Sequence, residues 1–502
     1  MKKNILKIVF SQLLLQGILA VSNLVIPKLI LMTYGSTVNG LINSITQFLT
    51  YAALVEAGIG NAAIPLLYNP LALKDYTKVN QIVSCTRIKY LQAGGLYLFL
   101  SIAFSTVYAF FVRDEVTHSF VIHMVFVIAL SYSIDYLVIG KYKVLLIASQ
   151  RYYVLNLFKI ITTFLTIILS SFFLITGYSI LIVKLVAVLI RILEAIGIAI
   201  YVKKKFMWIN YRNKNRLMKI PQQKNALVHR IMNVIIYNTD LVVLTVFLKE
   251  SLKEVSVYTI YAMPFSLITN LLVAFTDGVL SYIGNMRAKN EKEHLKRFIN
   301  EFEYWYYIIL FVLFTCYIVL AVPFVFCYTR GISDVNYNRV SVAVLFGISG
   351  ILCQIHDPMA VMISAAGKFA ETQNYIIVEA VVNLLLSVIL VERWGIQGVL
   401  IGTCIGHALA DVGVIFYTNS KIVNRENRTT FFRIIRNMAV TGILILIEFP
   451  YFAGIDTWYK WIIGAMIGAF INMMFFMLIN VLFERSIFYR GVGRVVNTII
   501  NR

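Results

Sequence analysis

Four basic residues lie inside long apolar stretches of the first half of the chain: Lys28, Lys159, Lys184 and Arg191. An ionised side chain at the centre of a membrane helix costs about 2.5–3.5 kcal/mol on insertion scales, so it must line water or pair with an acid. Ammonium and guanidinium groups bind phosphate groups well. Because the four residues come from three different apolar stretches, they predict a cationic cavity for an anionic substrate such as a phosphate or pyrophosphate.

The four cations differ in the acids that surround them in the sequence. Arg191 and Glu194 are three residues apart and could pair on one helix, which would leave Arg191 less available to a substrate. Lys159 has no acid close in sequence and is the strongest candidate for substrate binding. In the alternative interpretation, Lys28 and Lys184 extend towards lipid headgroups or pair with acids inside the protein.

Further ionisable residues inside apolar stretches predict ion coupling or gating. His407 and Asp411 are four residues apart and share a helix face, so they could relay protons or simply form interhelical hydrogen bonds. Asp240 stands alone in an apolar run and is the better candidate for binding a coupling ion, H⁺ or Na⁺. The residues assigned to ion coupling or gating are Glu56, Asp240, Asp277, His407 and Asp411.

The sequence predicts no other cofactor and no catalytic site. The five cysteines are scattered and form no Cys-x-x-Cys motif, which argues against a metal site and a disulfide framework. His356 and Asp357 are adjacent and point in different directions, so they are not a metal-binding pair. No Walker A sequence is present, so ATP is not expected to drive the protein directly.

Long apolar helices must position these residues. Hydrophobic residues make up 60% of the chain and charged residues 14%, against about 25% in a soluble domain. A helix needs about 20 apolar residues to cross a bilayer, and this pattern predicts an all-α membrane protein with about fourteen such helices. The predicted spans are 8–32, 38–64, 88–112, 118–140, 152–175, 178–202, 226–248, 255–284, 302–327, 340–363, 371–391, 396–419, 434–451 and 458–483.

The basic residues between these spans indicate the orientation. Alternate connections hold 34 of the 45 Lys and Arg residues, and the remaining connections hold only seven. By the positive-inside rule, both termini of this multi-pass membrane protein are predicted to be cytoplasmic. The net charge of +21 then favours the anionic bilayer surface as a partner and argues against nucleic acid.

The spans predict two lobes of six helices each. Gly58 and Gly177 recur at nearly the same spacing as Gly278 and Gly395. Because each repeat contains an even number of helices, the lobes would be related by a pseudo-two-fold axis along the membrane normal, which is typical of transporters that work by alternating access. The predicted organisation is an N-terminal lobe (1–202), a basic cytoplasmic linker (203–225), a C-terminal lobe (226–420), and helices 13 and 14 with a cytoplasmic tail (421–502).

A short motif at the end of the second span carries a family resemblance. The stretch 54–75 resembles the polysaccharide repeat-unit flippases of bacterial capsule and O-antigen clusters, which belong to the multidrug/oligosaccharidyl-lipid/polysaccharide exporter superfamily. Asn61 departs from the motif, where a small residue is more usual. The matching residues are Glu56, Gly58, Gly60, Ala62, Tyr68, Pro70 and Asp75.

The resemblance implies a flippase and not an enzyme. It implies a V-shaped pair of lobes with a cationic central cavity and ion-coupled alternating access. The implied substrate is an undecaprenyl-pyrophosphate-linked oligosaccharide, moved from the inner to the outer leaflet for capsule, exopolysaccharide or O-antigen assembly. A polysaccharide polymerase would be a further partner.

Three other functions remain open at this point. A drug or cation antiporter of the same superfamily usually has twelve spans and an acidic cavity. A lipid II flippase also has fourteen spans. A membrane-embedded glycosyl transferase or polymerase usually carries a large extracytoplasmic loop, and no predicted loop here is long enough.

Overall fold

The computed structural model describes residues 2–56, 58–210, 223–288 and 292–500. These residues form helices and no strands, which confirms the predicted all-α class. An apolar chain in a bilayer favours helices because each helix satisfies its backbone hydrogen bonds internally, where no water is available.

The chain forms sixteen α-helices within the described residues. Short π-helical segments, Asp135–Ile139 and Asn419–Val423, follow α4 and α14, and a 3₁₀ turn, Ala53–Glu56, follows α1. The helices are α1 (Lys2–Ala52), α2 (Ile59–Ala72), α3 (Tyr76–Phe111), α4 (His118–Ile134), α5 (Gly140–Ala148), α6 (Tyr152–Ile175), α7 (Ile180–Lys205), α8 (Gln223–Phe247), α9 (Ser251–Ala288), α10 (Lys292–Tyr328), α11 (Val340–Ile355), α12 (Asp357–Ala366), α13 (Phe369–Trp394), α14 (Ile396–Thr418), α15 (Asn427–Phe452) and α16 (Trp458–Ile500).

Twelve helical stretches among the described residues are long and apolar enough to cross a membrane. The first, Phe10–Glu56, contains 47 residues. At 1.5 Å per residue it is about 70 Å long, more than twice the roughly 30 Å of a bilayer core, so it accounts for two predicted spans. Gly35, with φ of 77°, interrupts its helical geometry between them. With the shorter apolar helix Ile231–Phe247, these stretches account for the fourteen predicted spans of a multi-pass membrane protein.

The second predicted span, 38–64, ends earlier than the hydropathy pattern indicated. The helix tightens into the 3₁₀ turn that ends at Glu56, and α2 begins as a separate helix at Ile59. Gly58 makes this break with a left-handed φ of 86°, a conformation that glycine adopts without steric cost. Hydropathy alone could not locate this break because the residues on both sides of it are apolar.

The helices group into two compact units, Met1–Ser256 and Val257–Arg502. The first unit includes α8 and the beginning of α9, whereas the predicted lobes were separated by a linker at 203–225. Residues 211–222 of that linker lie outside the described part of the chain. The lobe boundaries therefore stay a prediction.

Polar side chains join α8 and the start of α9 to the second half of α1. The Ser44 and Thr245 hydroxyl oxygens are 2.7 Å apart, and the Asn39 amide donates to Ser256 Oγ at 2.8 Å. A Cβ atom on Gly40 would lie 1.7 Å from the Leu252 carbonyl oxygen, so only glycine permits this backbone contact. These contacts explain why α8 groups with the first unit.

Buried ion pairs attach α15 and α16 to α10 in the second unit. The Arg433 side chain is 1% exposed, and its Nη1 donates to Glu303 of α10 at 2.9 Å. The same guanidinium pairs with Glu484 of α16, and Arg436 donates to that carboxylate at 3.1 Å. A buried charge is tolerated only with such partners, and removing one partner typically costs about 3–5 kcal/mol. The two helices predicted to lie outside the repeat are thus anchored to α10.

Candidate functional site

Two cavities of about 300 and 270 Å³ lie inside the first unit, and four charged residues line both of them. Residues near the N-terminal end of α6 line cavity 1, and residues further along the same helix line cavity 2. We call the four shared residues the charged quartet: Asp135, Lys159, Arg191 and Glu194. The quartet contains two acids and two bases, so its formal charge is zero.

Arg191 holds the two acids of the quartet together. Its guanidinium pairs with Glu194 on its own helix α7, as the spacing predicted, and also with Asp135 from the segment after α4. The Thr162 hydroxyl of α6 donates to the Glu194 carboxylate at 3.0 Å. The Arg191 charge is therefore neutralised within the protein, whereas sequence spacing indicated only one of its two acidic partners.

Lys159 is the available cation of the quartet. Within the described part of the chain, its ammonium makes no hydrogen bond or ion pair, although Arg191, Glu194 and Asp135 lie close enough for electrostatic interaction. The side chain lines both cavities. An anion that enters either cavity could thus pair with Lys159 without breaking an existing ion pair.

One side of α6 is polar and faces the cavities. Asn156 and Lys159 line cavity 1, while Lys159, Thr163 and Thr166 line cavity 2. The spacing of three or four residues places these side chains on one side of the helix. Opposite them, the π-helical segment begins at Asp135, and π-helical turns occur frequently at functional sites.

Glu56 of the family-like motif also lines cavity 1. Its carboxylate accepts a hydrogen bond from the Tyr90 hydroxyl at 3.0 Å. A Cβ atom on Gly60 would approach that hydroxyl to 2.9 Å, and one on Gly140 would approach the Tyr90 ring to 2.6 Å. The second glycine of the motif thus leaves room for the tyrosine that binds its acid.

The other predicted cations are placed differently. Lys28 and Lys184 are half-buried, and neither is among the described residues that line cavity 1 or cavity 2. Their role in substrate binding stays a prediction. Lys143, by contrast, does line cavity 1. The sequence predicts the fourth span at 118–140 or, in the alternative, on to 148, and helical structure does continue to Ala148, so Lys143 lies on a helix.

The polar side chains of α1 are divided between different sides of the helix. Gln16 and Asn23 are exposed, while Leu15 lines cavity 1 and Ser22 lines cavity 2. Ser11, on the cavity side of α1, accepts a hydrogen bond from Asn156 at 3.0 Å. Composition identified the helix as partly polar, but its rotation is decided by packing against α6.

The second unit contains two buried histidine–carboxylate pairs on α14. His407 Nδ1 lies 2.6 Å from Glu379 of α13, and Asp411 Oδ1 lies 2.7 Å from His356 Nδ1 at the junction of α11 and α12. His407 and Asp411 share a helix face, as predicted, but each pairs with a different helix. The proposed direct relay between these two residues is therefore replaced by two interhelical pairs.

Other predicted ion-coupling residues have distinct surroundings. Asp357, beside His356 in sequence, accepts a hydrogen bond from Tyr306 at 2.6 Å. Asp277 lies on an exposed part of α9 and is close enough to interact electrostatically with Asp357. Asp240 is buried in the first unit, close to Tyr51. The coupling or gating roles of Glu56, Asp240, Asp277, His407 and Asp411 stay predictions. Among the described residues, no group of three or more His, Cys, Asp or Glu side chains could hold a metal ion.

Solved structures with a similar fold are transporters and flippases. A structure of the lipid II flippase MurJ, in an inward closed conformation, matches with a TM-score of 0.70 and 15% identity, over 97% of this chain and 100% of that one. A MATE multidrug resistance transporter of the MOP superfamily, in an inward-facing conformation, matches with a TM-score of 0.65 and 13% identity, over 80% of this chain and 94% of that one. A MOP superfamily transporter from Pyrococcus furiosus matches with a TM-score of 0.57 and 14% identity, over 84% and 95% of the two chains.

These identities establish the fold alone. The chain has the fold of MOP superfamily transporters. No protein-family model matches the chain, and no curated protein sequence matches it.

Proposed function

We propose that the protein is a flippase that moves undecaprenyl-pyrophosphate-linked oligosaccharide repeat units from the inner to the outer leaflet of the bacterial plasma membrane. The fold supports a transporter, and the motif at 54–75 supports the polysaccharide branch of the superfamily. In this proposal both termini are cytoplasmic, as the distribution of basic residues indicates.

The observation that carries the proposal is the Lys159 ammonium, which lies in the wall of both cavities and has no partner among the described residues. A buried cation without a partner is costly, and a pyrophosphate would offset that cost by forming charge-assisted hydrogen bonds. A drug or cation antiporter would have no use for such a group, because its cationic cargo would be repelled.

The coupling ion in this proposal is a proton carried by the pairs His407–Glu379 and His356–Asp411. Ionisable residues inside a membrane span are costly and are commonly part of proton pathways. Each carboxylate here lies within hydrogen-bond distance of an imidazole nitrogen, so a proton can move between the two groups. The pairing favours H⁺ over Na⁺ as the ion.

Replacing Lys159 tests the substrate-binding role. In a strain that depends on this protein for its surface polysaccharide, Lys159→Glu should abolish the polymer and leave lipid-linked repeat units in the inner leaflet. Lys159→Arg keeps the charge and should retain part of the activity. Lys421→Glu, at an exposed lysine in the second unit, is the control and should leave the polymer unchanged. Normal polymer with Lys159→Glu, at normal protein level, would contradict the proposal.

The coupling role is tested by Glu379→Gln, which keeps a hydrogen-bond acceptor beside His407 but cannot titrate. In proteoliposomes, flipping by the wild-type protein should respond to an imposed pH gradient, and flipping by the variant should not. An equal response from both proteins would remove Glu379 from the proton pathway.

A second candidate is a lipid II flippase. The match to MurJ over 97% of this chain favours it. Lipid II also carries a pyrophosphate, so Lys159 would suit either substrate. Expression of this protein in a strain depleted of its lipid II flippase separates the two: restored growth supports lipid II as a substrate, and failure to grow supports the repeat-unit substrate.

A further inference from the structure

We propose that cavity 1 is a subsite for an uncharged sugar, the one attached directly to the pyrophosphate, while Lys159 binds the adjacent phosphate. The inference rests on the proposed function and specifies which sugar the protein accepts at that position.

The size of cavity 1 suits a small saccharide. Its volume of about 300 Å³ is at the lower end of the range for small-molecule pockets, about 300–1,000 Å³. The cavity can thus enclose a sugar at one end of the repeat unit, and the rest of a longer chain must lie outside it.

The walls of cavity 1 offer hydrogen-bond acceptors. Asp135 uses Oδ1 to pair with Arg191, and Asn156 uses its Nδ2 to donate to Ser11. Within the described residues, no hydrogen bond is made by Asp135 Oδ2 or Asn156 Oδ1. Both atoms can accept hydrogen bonds from hydroxyl groups, which a sugar carries in number. The half-buried Tyr152 adds an aromatic side chain to the wall.

Charge is the reason to expect an uncharged sugar. The carboxylates of Asp135, Glu194 and Glu56 line cavity 1, and Arg191 is already committed to two of them. Two further cations, Lys143 and Lys159, line the cavity. With Lys159 assigned to the phosphate, the remaining charged groups are three acids and two bases, with a net charge of −1. A further carboxylate, as on a uronic acid, would add to this negative charge and is disfavoured by like-charge repulsion.

Cavity 2 is less suited to a sugar. Its wall includes three threonines of α6, and two of these hydroxyls are already engaged: Thr162 donates to Glu194 at 3.0 Å and Thr166 donates to the Thr162 carbonyl at 2.8 Å. Asp135 lines both cavities, so the Asn156 amide oxygen is the acceptor that distinguishes cavity 1.

Binding of three synthetic probes to the purified full-length protein in nanodiscs tests the inference. The probes are farnesyl pyrophosphate, the same lipid with N-acetylglucosamine on the pyrophosphate, and the same lipid with glucuronic acid there. We expect the neutral sugar to tighten binding at least tenfold over the sugar-free lipid, as about one charge-assisted hydrogen bond provides. We expect glucuronic acid to bind at least tenfold more weakly than the neutral sugar probe.

Variants assign the effect to cavity 1. Asn156→Ala should remove most of the gain from the neutral sugar and leave binding of farnesyl pyrophosphate unchanged. Asp135→Asn should reduce the discrimination against glucuronic acid because it removes a negative charge. Asp114→Asn removes an exposed acid from the loop after α3, outside the cavity, and should change neither ratio. Size-exclusion profiles and unfolding midpoints identify any variant that fails to fold, and Asn156→Ala alone then suffices because it leaves every ion pair intact.

The outcomes separate this inference from the proposed function. Equal binding of all three probes, with Lys159→Glu weakening each of them, would overturn the sugar subsite and keep the flippase. Tighter binding of the glucuronic acid probe would overturn the uncharged-sugar assignment. Sugar-free lipid binding that is unaffected by Lys159→Glu would overturn the proposed function, and the subsite with it.

Discussion

At the scale of single residues, the partner of a membrane-embedded charge decides what that charge can do. Arg191 and Lys159 lie in the same quartet, yet Arg191 is bound to two acids and Lys159 to none of the described residues. Arg191 therefore organises the site, while Lys159 remains available to an anion. The carboxylate of Glu56 also has a partner, the Tyr90 hydroxyl. Tyr90 reaches it across a crowded helix contact, and glycines leave the necessary space.

Gly140→Ala tests this crowding. The new Cβ atom would lie 2.6 Å from the Tyr90 ring, so we expect a loss of about 1–3 kcal/mol in unfolding free energy from overpacking. Gly95→Ala is the matched control, since nothing lies within 4 Å of its Cβ position on α3. The unfolding midpoint of the purified protein in detergent measures both. An equal midpoint for the two variants would show that Tyr90 can move aside.

At the scale of helices, small residues allow α13 and α14 to pack closely. Gly398, Gly402 and Gly406 recur every four residues on one face of α14. A Cβ atom on Gly402 would lie 2.7 Å from the backbone nitrogen of Ser387. In a bilayer, apolar burial does not drive helix association, so van der Waals contact across such small residues must stabilise it. The contact also holds His407 of α14 beside Glu379 of α13.

Gly402→Ala should separate these helices slightly. We expect a lower unfolding midpoint, equivalent to about 1–3 kcal/mol, because the clash is with backbone and cannot be relieved by a side-chain rotation. Gly442→Ala on α15 has open space at its Cβ position and should leave the midpoint unchanged or raise it. A Gly402→Ala protein as stable as the wild type would mean that α13 and α14 have room to separate.

At the scale of the whole molecule, loops join helices that are distant in sequence. Glu115, between α3 and α4, accepts a hydrogen bond from Ser251 Oγ at 2.8 Å and one from the Leu252 backbone nitrogen at the start of α9. Burial raises the pKa of Glu115 above its ordinary value, although these two hydrogen bonds oppose the shift. The nearby Glu250 adds to the increase in pKa.

The raised pKa of Glu115 determines how the stability of the fold changes with pH. The folded protein holds the Glu115 proton more tightly than the unfolded chain does. The contribution of Glu115 to the unfolding free energy is therefore fully present below the pKa that this residue has in the unfolded chain, and it is lost as pH rises through its pKa in the folded protein. From about pH 4 to about pH 7, the unfolding midpoint of the wild type should therefore fall relative to that of Glu115→Gln. A constant difference between the two proteins would contradict the assignment.

Asp456 should give the opposite pH dependence of stability, and it serves as a comparison. The hydrogen bond from Lys460, 2.7 Å long, lowers the pKa of Asp456. The contribution of ionised Asp456 to the unfolding free energy is present above the pKa that this residue has in the unfolded chain, and it is lost as pH falls through its pKa in the folded protein. Acidification should thus destabilise the wild type relative to Asp456→Asn. Because both side chains are exposed, we expect the effect to be small and to weaken at high salt.

The orientation in the membrane is tested by cysteine labelling. In a variant without the five native cysteines, Asp114→Cys should react with a membrane-impermeant maleimide on intact cells. Lys78→Cys should react only after permeabilisation, because the beginning of α3 is on the predicted cytoplasmic side. Both side chains are well exposed, so burial does not limit the reaction. The reverse pattern would invert the predicted topology.

The sequence by itself determined the class of the protein and most of its helices. Hydropathy over about 20 residues is a local property, so the fourteen spans could be identified without knowledge of their neighbours. The pairing of Arg191 with Glu194 and the polar face of α6 were predictable for the same reason, since both depend only on spacing within one helix.

Only the tertiary structure decided which helices meet and through which faces. The pairs Asp135–Arg191, His356–Asp411 and His407–Glu379 each join different helices, and sequence spacing carries no information about such partners. The break at Gly58 was likewise not visible from hydropathy, because most residues around it are apolar. Packing fixes the rotation of each helix about its axis, and that rotation leaves Lys159 facing two cavities while it directs Arg191 to its acids.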